Sequence, residues 1–474
     1  MEVDYGIQFD ECFAGWLTDP FNQPIFDAIR KAADDLDKGI EVNFDFSVFE
    51  QTAKNANLQK RRVPALRQSS PSRGLLEPNT KKESTASTEF LASLVGEKIA
   101  TFYGPKESNE EKTAAESLKS PNEKELGLFL QRHCRLPKCF APLLLKTHDF
   151  SGDKFQKFWK DNLYGRDPNE RFFRLVRKKN RNYVVPNDLA PFVRTIVETH
   201  KSLEFLLDEE LFLEKFIDFI VTRCFYIMDT ELRGTVSLQQ FRKMDIAGVF
   251  YNAERMQDVN DSHHIFNYQH FYVAFCKFWD LDADSDSYIS KSDLMKFNDS
   301  SISPIIIERF VDAKFFPLTA NPKKGYVDFT SFVYFLMSTE DKSNLTSINF
   351  WYKICDLDDD GLLSIKEVEQ LYSVQYERMR ITGNETIPFS DILRQLIDVV
   401  NAGVKENTSY VAVHDLEKSK MADVFFNTLF DLQKFLVREY QFPVINSNDE
   451  VTKNLTPWEL YVLIEYDQLV NDDE

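Results

Sequence analysis

The chain has 474 residues, a formal net charge of −19, 43% hydrophobic residues and 42 phenylalanines. That length suffices for two or three domains with a large core, and the acidic balance excludes nucleic acid as the main partner while favouring calcium ions or a basic protein surface. The six cysteines are scattered, three of them in expected helices just ahead of loops, where cysteine acts as a small buried hydrophobe; this usage points to a reducing compartment.

The opening MEVDYGIQFDE has no basic or long apolar run, so no signal peptide is expected. Apolar runs such as Phe140–Leu145 and Phe216–Val221 fall far short of the ~20 residues of a membrane span. Residues 1–50 form an acidic aromatic segment with twelve acidic and three basic side chains beside Phe9, Phe13, Trp16, Phe21, Phe26, Phe44, Phe46 and Phe49. Such a segment either folds against the body or serves as a docking arm. Residues 51–125 turn to Lys, Glu, Ser, Thr, Asn and Pro, too little apolar surface to offset ordering entropy, and read as a disordered linker with one short helix over Phe90–Gly104. Its basic cluster Lys60–Arg62 reads as solvated linker, and Ser70 and Ser120, each before a proline, are weak phosphorylation motifs.

Residues 126–225 are expected to form a helical domain. Cys134 and Cys139, beside His133, lack a second ligand pair at zinc spacing. Apolar residues recur at helical spacing through 171–206, with Asp188 at an expected N-cap, and Glu210–Asp229 is apolar over much of its circumference and must be buried.

Residues 226–440 read as an EF-hand-like core. In the loop 229–240, Asp229 stands at position 1 and Gly234 at 6, but Arg233 at 5 and Gln240 at 12 should exclude calcium. A second loop places Asp282, Asp284 and Asp286 at 1, 3 and 5, Tyr288 at 7, Ser290 at 9 and Asp293 at 12. Here Ser287 replaces the glycine at 6 and must enter left-handed space, at roughly 1 kcal/mol. A third loop is complete: Asp356, Asp358 and Asp360 at 1, 3 and 5, Gly361 at 6, the Leu362 carbonyl at 7, Leu363 at 8, Ser364 at 9 through a water, and bidentate Glu367 at 12. Starting it at Asp358 would leave no glycine at 6. Calcium is therefore expected at Asp356–Glu367, and more weakly at Asp282–Asp293.

Because EF-hands pair, three mates are expected at His264–Phe275, Gly325–Leu336 and Ser409–Lys420, giving six units in three pairs. A single closing helix is expected over Met421–Gln441, then an acidic tail, 441–474, with one helical stretch PWELYVLIEYDQLV. The expected fold is mostly α: an elongated array of paired EF-hand-like helix-loop-helix units with short β pairings, preceded by a helical segment and a partly disordered N-terminal region.

From about residue 150 to 438 the chain resembles the B-double-prime regulatory subunits of protein phosphatase 2A. The match rests on YVVPNDLAPFVRTIVETHKSLEFL, VTRCFYIMDTELRGTVS, FNYQHFYVAFCKFWDLDADSDSYISKSDL, SNLTSINFWYKICDLDDDGLLSIKEVE and MADVFFNTLFDLQKFL, and on two calcium hands about 74 residues apart, each entered through an aromatic helix end. The resemblance implies a non-catalytic subunit that docks on the phosphatase scaffold subunit, built of HEAT repeats, and selects phosphoprotein substrates for the catalytic subunit. It also implies a cytoplasmic or nuclear location, and for some members centrosomes or spindle structures. Residues 1–125 match nothing in that pattern. Two other classes compete. An enzyme is disfavoured because no Gly-rich phosphate loop, G-x-S-x-G elbow or HExxH occurs and His263 and His264 lack an organised carboxylate; a calcium-responsive EF-hand adaptor unrelated to the phosphatase is separated by whether the chain binds the scaffold.

Overall fold

The computed structural model describes residues 109–260, 265–312, 323–400, 410–440 and 455–472. The acidic aromatic segment, Lys60–Arg62, Ser70, the helix expected over Phe90–Gly104, and His263 and His264 lie outside them. Within the stretch expected as linker, Asn109–Ser117 (α1) is helical. Its Glu111 is buried, and the carboxylate accepts from Arg171 Nη2 at 2.8 Å and from the Trp159 indole N–H at 3.2 Å. A charge-assisted pair satisfied from two sides holds a Lys/Glu-rich segment on the body, an effect that composition does not register. Helices α2 (Glu123–Phe129), α3 (Phe140–Thr147), α4 (Lys154–Asn162) and α5 (Pro168–Val176) follow. Cys134 lies between them, fully buried, and burial pushes its thiol up to about 12, the state of a core side chain rather than a thiolate ligand.

Hand pairing begins earlier than the sequence suggests. Val184, which enters α6 (Pro186–Thr199), and Val236, at position 8 of the degenerate loop between α7 (Glu210–Met228) and α8 (Leu238–Lys243), exchange two backbone hydrogen bonds of 2.9 Å. The mate of the Asp229 loop is therefore upstream, not at His264–Phe275, and the bridge crosses the expected division at 225/226. The His264–Phe275 stretch instead supplies α10 (Tyr268–Leu281), after α9 (Ile246–Arg255); Asn267 caps it, accepting from the Gln269 N–H at 2.8 Å, and it leads into the Asp282 loop. Asp188 is at the third residue of α6 rather than its N-cap, where its carboxylate accepts the Val185 N–H at 3.1 Å and both oxygens receive Arg181 at 2.7 Å.

The other two pairs form as expected. Strand β1 (Ile289–Ser290) pairs with β2 (Tyr326–Val327) through Ile289↔Val327, and β3 (Leu363–Ser364) with β4 (Tyr410–Val411) through Leu363↔Val411. The position-8 residues Ile289 and Leu363 are fully buried, so each pairing covers an apolar contact while satisfying strand edges. The helices around them are α11 (Lys291–Leu294), α12 (Pro304–Val311), α13 (Phe329–Glu340), α14 (Leu345–Cys355), α15 (Ile365–Ile381), α16 (Phe389–Val400) and α17 (Val413–Ser419).

The core between these pairs is aromatic. Trp351 is fully buried, its ring 4.7 Å from Phe430 and 5.8 Å from Phe335, and its indole N–H donates to the Ser338 carbonyl at 2.6 Å. The closing helix is two helices, α18 (Ala422–Phe430) and α19 (Leu432–Tyr440), because Asp431 leaves helical geometry to bridge Ile302. In the region expected as an acidic tail, α20 (Pro457–Asp472) docks on α10: Trp458 is buried, its indole N–H donates to His270 Nδ1 at 2.9 Å, and Lys277 pairs with Glu465 at 2.6 Å.

Candidate metal centres

Each candidate loop starts where a helix runs out of partners. The Asp356 N–H closes α14 on the Tyr352 carbonyl at 2.9 Å, and the chain then turns through left-handed Asp359 (φ 58°) and Gly361 (φ 85°). These turns aim backbone N–H groups inward. The Asp356 carboxylate accepts from Asp360 N–H at 3.1 Å and Gly361 N–H at 2.8 Å, so the loop backbone orients position 1. One oxygen from each of Asp356, Asp358 and Glu367 lies within 4.8 Å of the others. Calcium–oxygen distances are about 2.3–2.6 Å, so oxygens on opposite sides of one ion stand roughly 5 Å apart, and the trio suits a single calcium.

The remaining expected ligands occupy the loop rim. Asp360 Oδ1 accepts the Leu362 N–H at 2.7 Å, and Leu362 is exposed. Ser364 caps α15, its hydroxyl accepting the Glu367 N–H at 3.3 Å, while Glu367 returns a carboxylate oxygen to the Ser364 N–H at 2.7 Å. The other Glu367 oxygen accepts the Leu357 N–H at 2.6 Å, closing the loop end to end. Burial, then the neighbouring carboxylates of Glu367 and Asp360, push the Asp356 carboxyl up against the N–H groups that hold it down. A divalent cation held by these carboxylates would offset that repulsion, since it would be the largest local charge in the site.

Two side chains outside the loop brace it. Tyr352 Oη donates to the Val411 carbonyl at 2.7 Å and accepts the Leu363 N–H at 2.9 Å, fastening β3 to β4 beneath the site. Arg309 of α12 contacts the Asp356 carbonyl and donates to Asp359 at 2.8 Å. Asp359 is at position 4, so Arg309 neutralises a carboxylate that is not a ligand.

The second loop has the same frame with competing cations. Asp282 accepts from Asp286 N–H at 3.2 Å and Ser287 N–H at 2.9 Å, and Ser287 takes the left-handed conformation (φ 67°) that its place demands. Asp282, Asp284 and Asp286 each bring one oxygen within 4.8 Å of the others. Asp286 accepts the Tyr288 N–H at 2.9 Å and, on its other oxygen, the Lys323 ammonium at 2.7 Å, which holds its carboxyl below the usual range. Asp293 stands apart from the trio, held by Lys296 at 2.7 Å and the Ser290 hydroxyl at 2.5 Å. A cation at this loop would meet Lys323 already on one oxygen of an expected ligand; at the Asp356 loop Arg309 sits beside the expected ligands.

The degenerate loop is closed by protein groups. Asp229 accepts the Gly234 N–H at 2.6 Å, Arg233 pairs with Glu231, and the Gln240 amide donates to the Met228 carbonyl at 2.9 Å. Lys353 of α14 donates to the Glu231 carbonyl at 2.7 Å, placing a cation at position 3. Of the groups that shape these loops, Lys296 is one helical turn from Asp293 and Tyr352 one turn ahead of Asp356, both legible as neighbours; Arg309, Lys323 and Lys353 arrive from other elements and leave no local signal.

A family model described as an EF-hand domain matches residues 167–255, the pair built on Val184 and Val236. Among the human B'' regulatory subunits of serine/threonine-protein phosphatase 2A, the chain is 34% identical over 331 residues to the alpha form, covering 69% of this chain and 28% of that protein. It is 30% identical over 434 residues to the human beta form, covering 87% of this chain and 74% of that one. A solved chain of a PP2A PR70 holoenzyme superposes with a TM-score of 0.53 at 37% identity, over 57% of this chain and 98% of that one. Sequence similarity along most of the chain and a shared paired-hand fold lead to one conclusion: this chain belongs to the B'' family of regulatory subunits of serine/threonine-protein phosphatase 2A.

Proposed function

We propose that the chain is a calcium-binding, non-catalytic regulatory subunit that docks on the scaffold and catalytic subunits of protein phosphatase 2A and directs the choice of phosphoprotein substrates. The observation that carries this is the pair of carboxylate trios, each set on a β-paired hand in a chain of this family. Calcium occupies the Asp356 loop more tightly than the Asp282 loop, and it orders the loops rather than opening the helix pairs. A sensor hand opens onto a groove rich in methionine; this chain has eight methionines in all, and the helix entering the Asp356 loop is committed to the aromatic core through Phe350 and Trp351.

A pull-down in which the full chain captures purified scaffold, with calcium and with chelator, tests the reading. Capture at physiological salt, strengthened by calcium, is expected, together with no turnover of a phosphopeptide by the chain alone and an altered substrate preference once it joins the core enzyme. Failure to capture the scaffold, or turnover by the rigorously purified chain, overturns it.

A further inference from the structure

Far along the chain from the calcium loops, α4, the end of α5 and their flanking loops enclose an open cleft of about 790 Å³. In a chain of net charge −19, five cationic side chains line it, Lys154, Lys157, Arg174, Arg177 and Lys179, against two carboxylates, Asp149 and Asp161. Local pairing accounts for two of the five: Lys154 contacts Asp149, and Arg174 donates to Glu170 at 2.9 Å. Arg177 folds over the next turn and donates to the Arg181 carbonyl at 2.9 Å, which satisfies an N–H without cancelling the charge. Lys157 and Lys179 are exposed, and neither makes an ion pair with a carboxylate among the described residues.

The cleft also has an aromatic floor that is nearly covered, with Phe150 5% and Phe158 9% exposed and His148 half-buried. Phe150 and Phe158 lie with ring centroids 4.8 Å apart, and His148 stacks on Phe150 at 5.7 Å and meets Phe158 edge-on at 4.8 Å. Burial lowers the pKa of His148, so at neutral pH its ring is an uncharged part of that floor. Cations on the rim and an aromatic interior suit a chain that brings carboxylates and an apolar anchor together. An extended polyanion meets general repulsion from a molecule this acidic, whereas a short peptide enters the cleft alone.

We propose that this cleft binds an acidic peptide segment with an apolar anchor, and so holds a protein recruited to the phosphatase; the recruitment rests on the function proposed above, the peptide binding does not. Lys157, Lys179 and Arg177 attract the acidic side chains, and the anchor lies against half-buried His148 and the exposed edges of Phe150 and Phe158. The interaction weakens with salt, since at 0.1 M the Debye length is only about 10 Å.

The test is fluorescence anisotropy with the full chain and a short labelled peptide of glutamates around one central phenylalanine. Binding at low salt is expected, falling several-fold as salt is raised. Reversing both exposed lysines (Lys157→Glu with Lys179→Glu) should weaken it by roughly tenfold, the sum of two modest surface charge effects, and Lys157→Ala with Lys179→Ala should weaken it less. A control with the same charge change elsewhere, Lys418→Glu with Lys420→Glu, should leave it within about twofold. A glutamine version of the peptide should not bind. No binding at low salt, or equal loss in the reversal and its control, overturns the proposal, as does binding of anionic lipid vesicles through the same lysines without peptide binding. Scaffold capture by the same variants separates the two readings: retained capture without peptide binding removes only the cleft, while peptide binding without capture removes only the phosphatase assignment.

Discussion

Asp431 is the polar joint between the two strand-paired hands, and its substitution should cost more than that of any exposed ion pair. Its carboxylate accepts Lys342 Nζ at 2.9 Å and the Lys434 N–H at 3.2 Å, and it contacts the Ser301 hydroxyl that follows the Asp282 hand. Both side chains of the Lys342–Asp431 pair are 1% exposed. Burial opposes both charges: it pulls the Lys342 ammonium down to about 8, still charged at neutral pH, while the Lys342 and Lys434 ammonium groups and Ser301 outweigh it at Asp431 and hold the carboxyl at about 2. Asp431→Asn takes away the carboxylate paired with the buried Lys342 ammonium and leaves it the Thr339 carbonyl and the weaker field of Glu340; loss of a buried ion-pair partner costs about 3–5 kcal/mol, a large share of a typical ~5–15 kcal/mol total. Lys342→Met should cost less, because Asp431 keeps Ser301, the Lys434 N–H and the field of the Lys434 ammonium. The double variant removes both charges and should recover much of the loss, with a coupling of about 2 kcal/mol in a double-mutant cycle. Urea unfolding at pH 7 measures all four proteins. The Asp431 carboxyl is held below its ordinary value of 3.8, so its stabilisation is complete above that value and is lost as pH falls from there through about 2, a dependence absent from Asp431→Asn. A cost below about 1 kcal/mol for Asp431→Asn, or strict additivity in the cycle, refutes the reasoning.

Four further outcomes are expected. Glu367→Gln should remove the tighter of two calcium sites in titration calorimetry, and Asp293→Asn should affect only the weaker; loss of the tighter site by Asp293→Asn reverses the ranking. Lys323→Met should strengthen calcium binding at the Asp282 loop by about two- to fivefold, because it removes an exposed cation from a ligand carboxylate, and an unchanged affinity means the lysine does not compete. Tyr352→Phe leaves the buried Leu363 N–H and the Val411 carbonyl without their hydroxyl partner and should cost about 2 kcal/mol in urea unfolding; a cost under about 0.5 kcal/mol shows that β3 and β4 hold without it. Calcium should raise the melting temperature by mass action without increasing binding of a hydrophobic dye, and a large calcium-dependent rise in dye binding makes the hands a calmodulin-like switch.

What the sequence determined by itself was whatever depends on neighbours along the chain. The order Asp356, Asp358, Asp360, Gly361, Leu363, Glu367 dictates a ligand loop, because each place has a local requirement: oxygens at odd positions, a left-handed turn at the glycine, an inward aliphatic residue next to the strand. The same logic marked Ser287 as the residue forced into left-handed space, and Arg233 and Gln240 as departures from a ligand set. The pairings of Ile289 with Val327 and of Leu363 with Val411 were legible because each mate carries its own β-like stretch. Tertiary structure decided what depends on charges and edges meeting across long separations. Only packing shows that Val184 precedes its partner hand, that Glu111 anchors α1 through Arg171, that Asp431 splits the closing helix, and that α20 returns to α10 through Trp458 and His270. The proposed ranking of the two loops also divides this way. Glycine and glutamate favour the Asp356 loop on local grounds, but Lys323 on a ligand and Arg309 beside the ligands come from other elements, and a lysine's place in space is set by the fold that carries it.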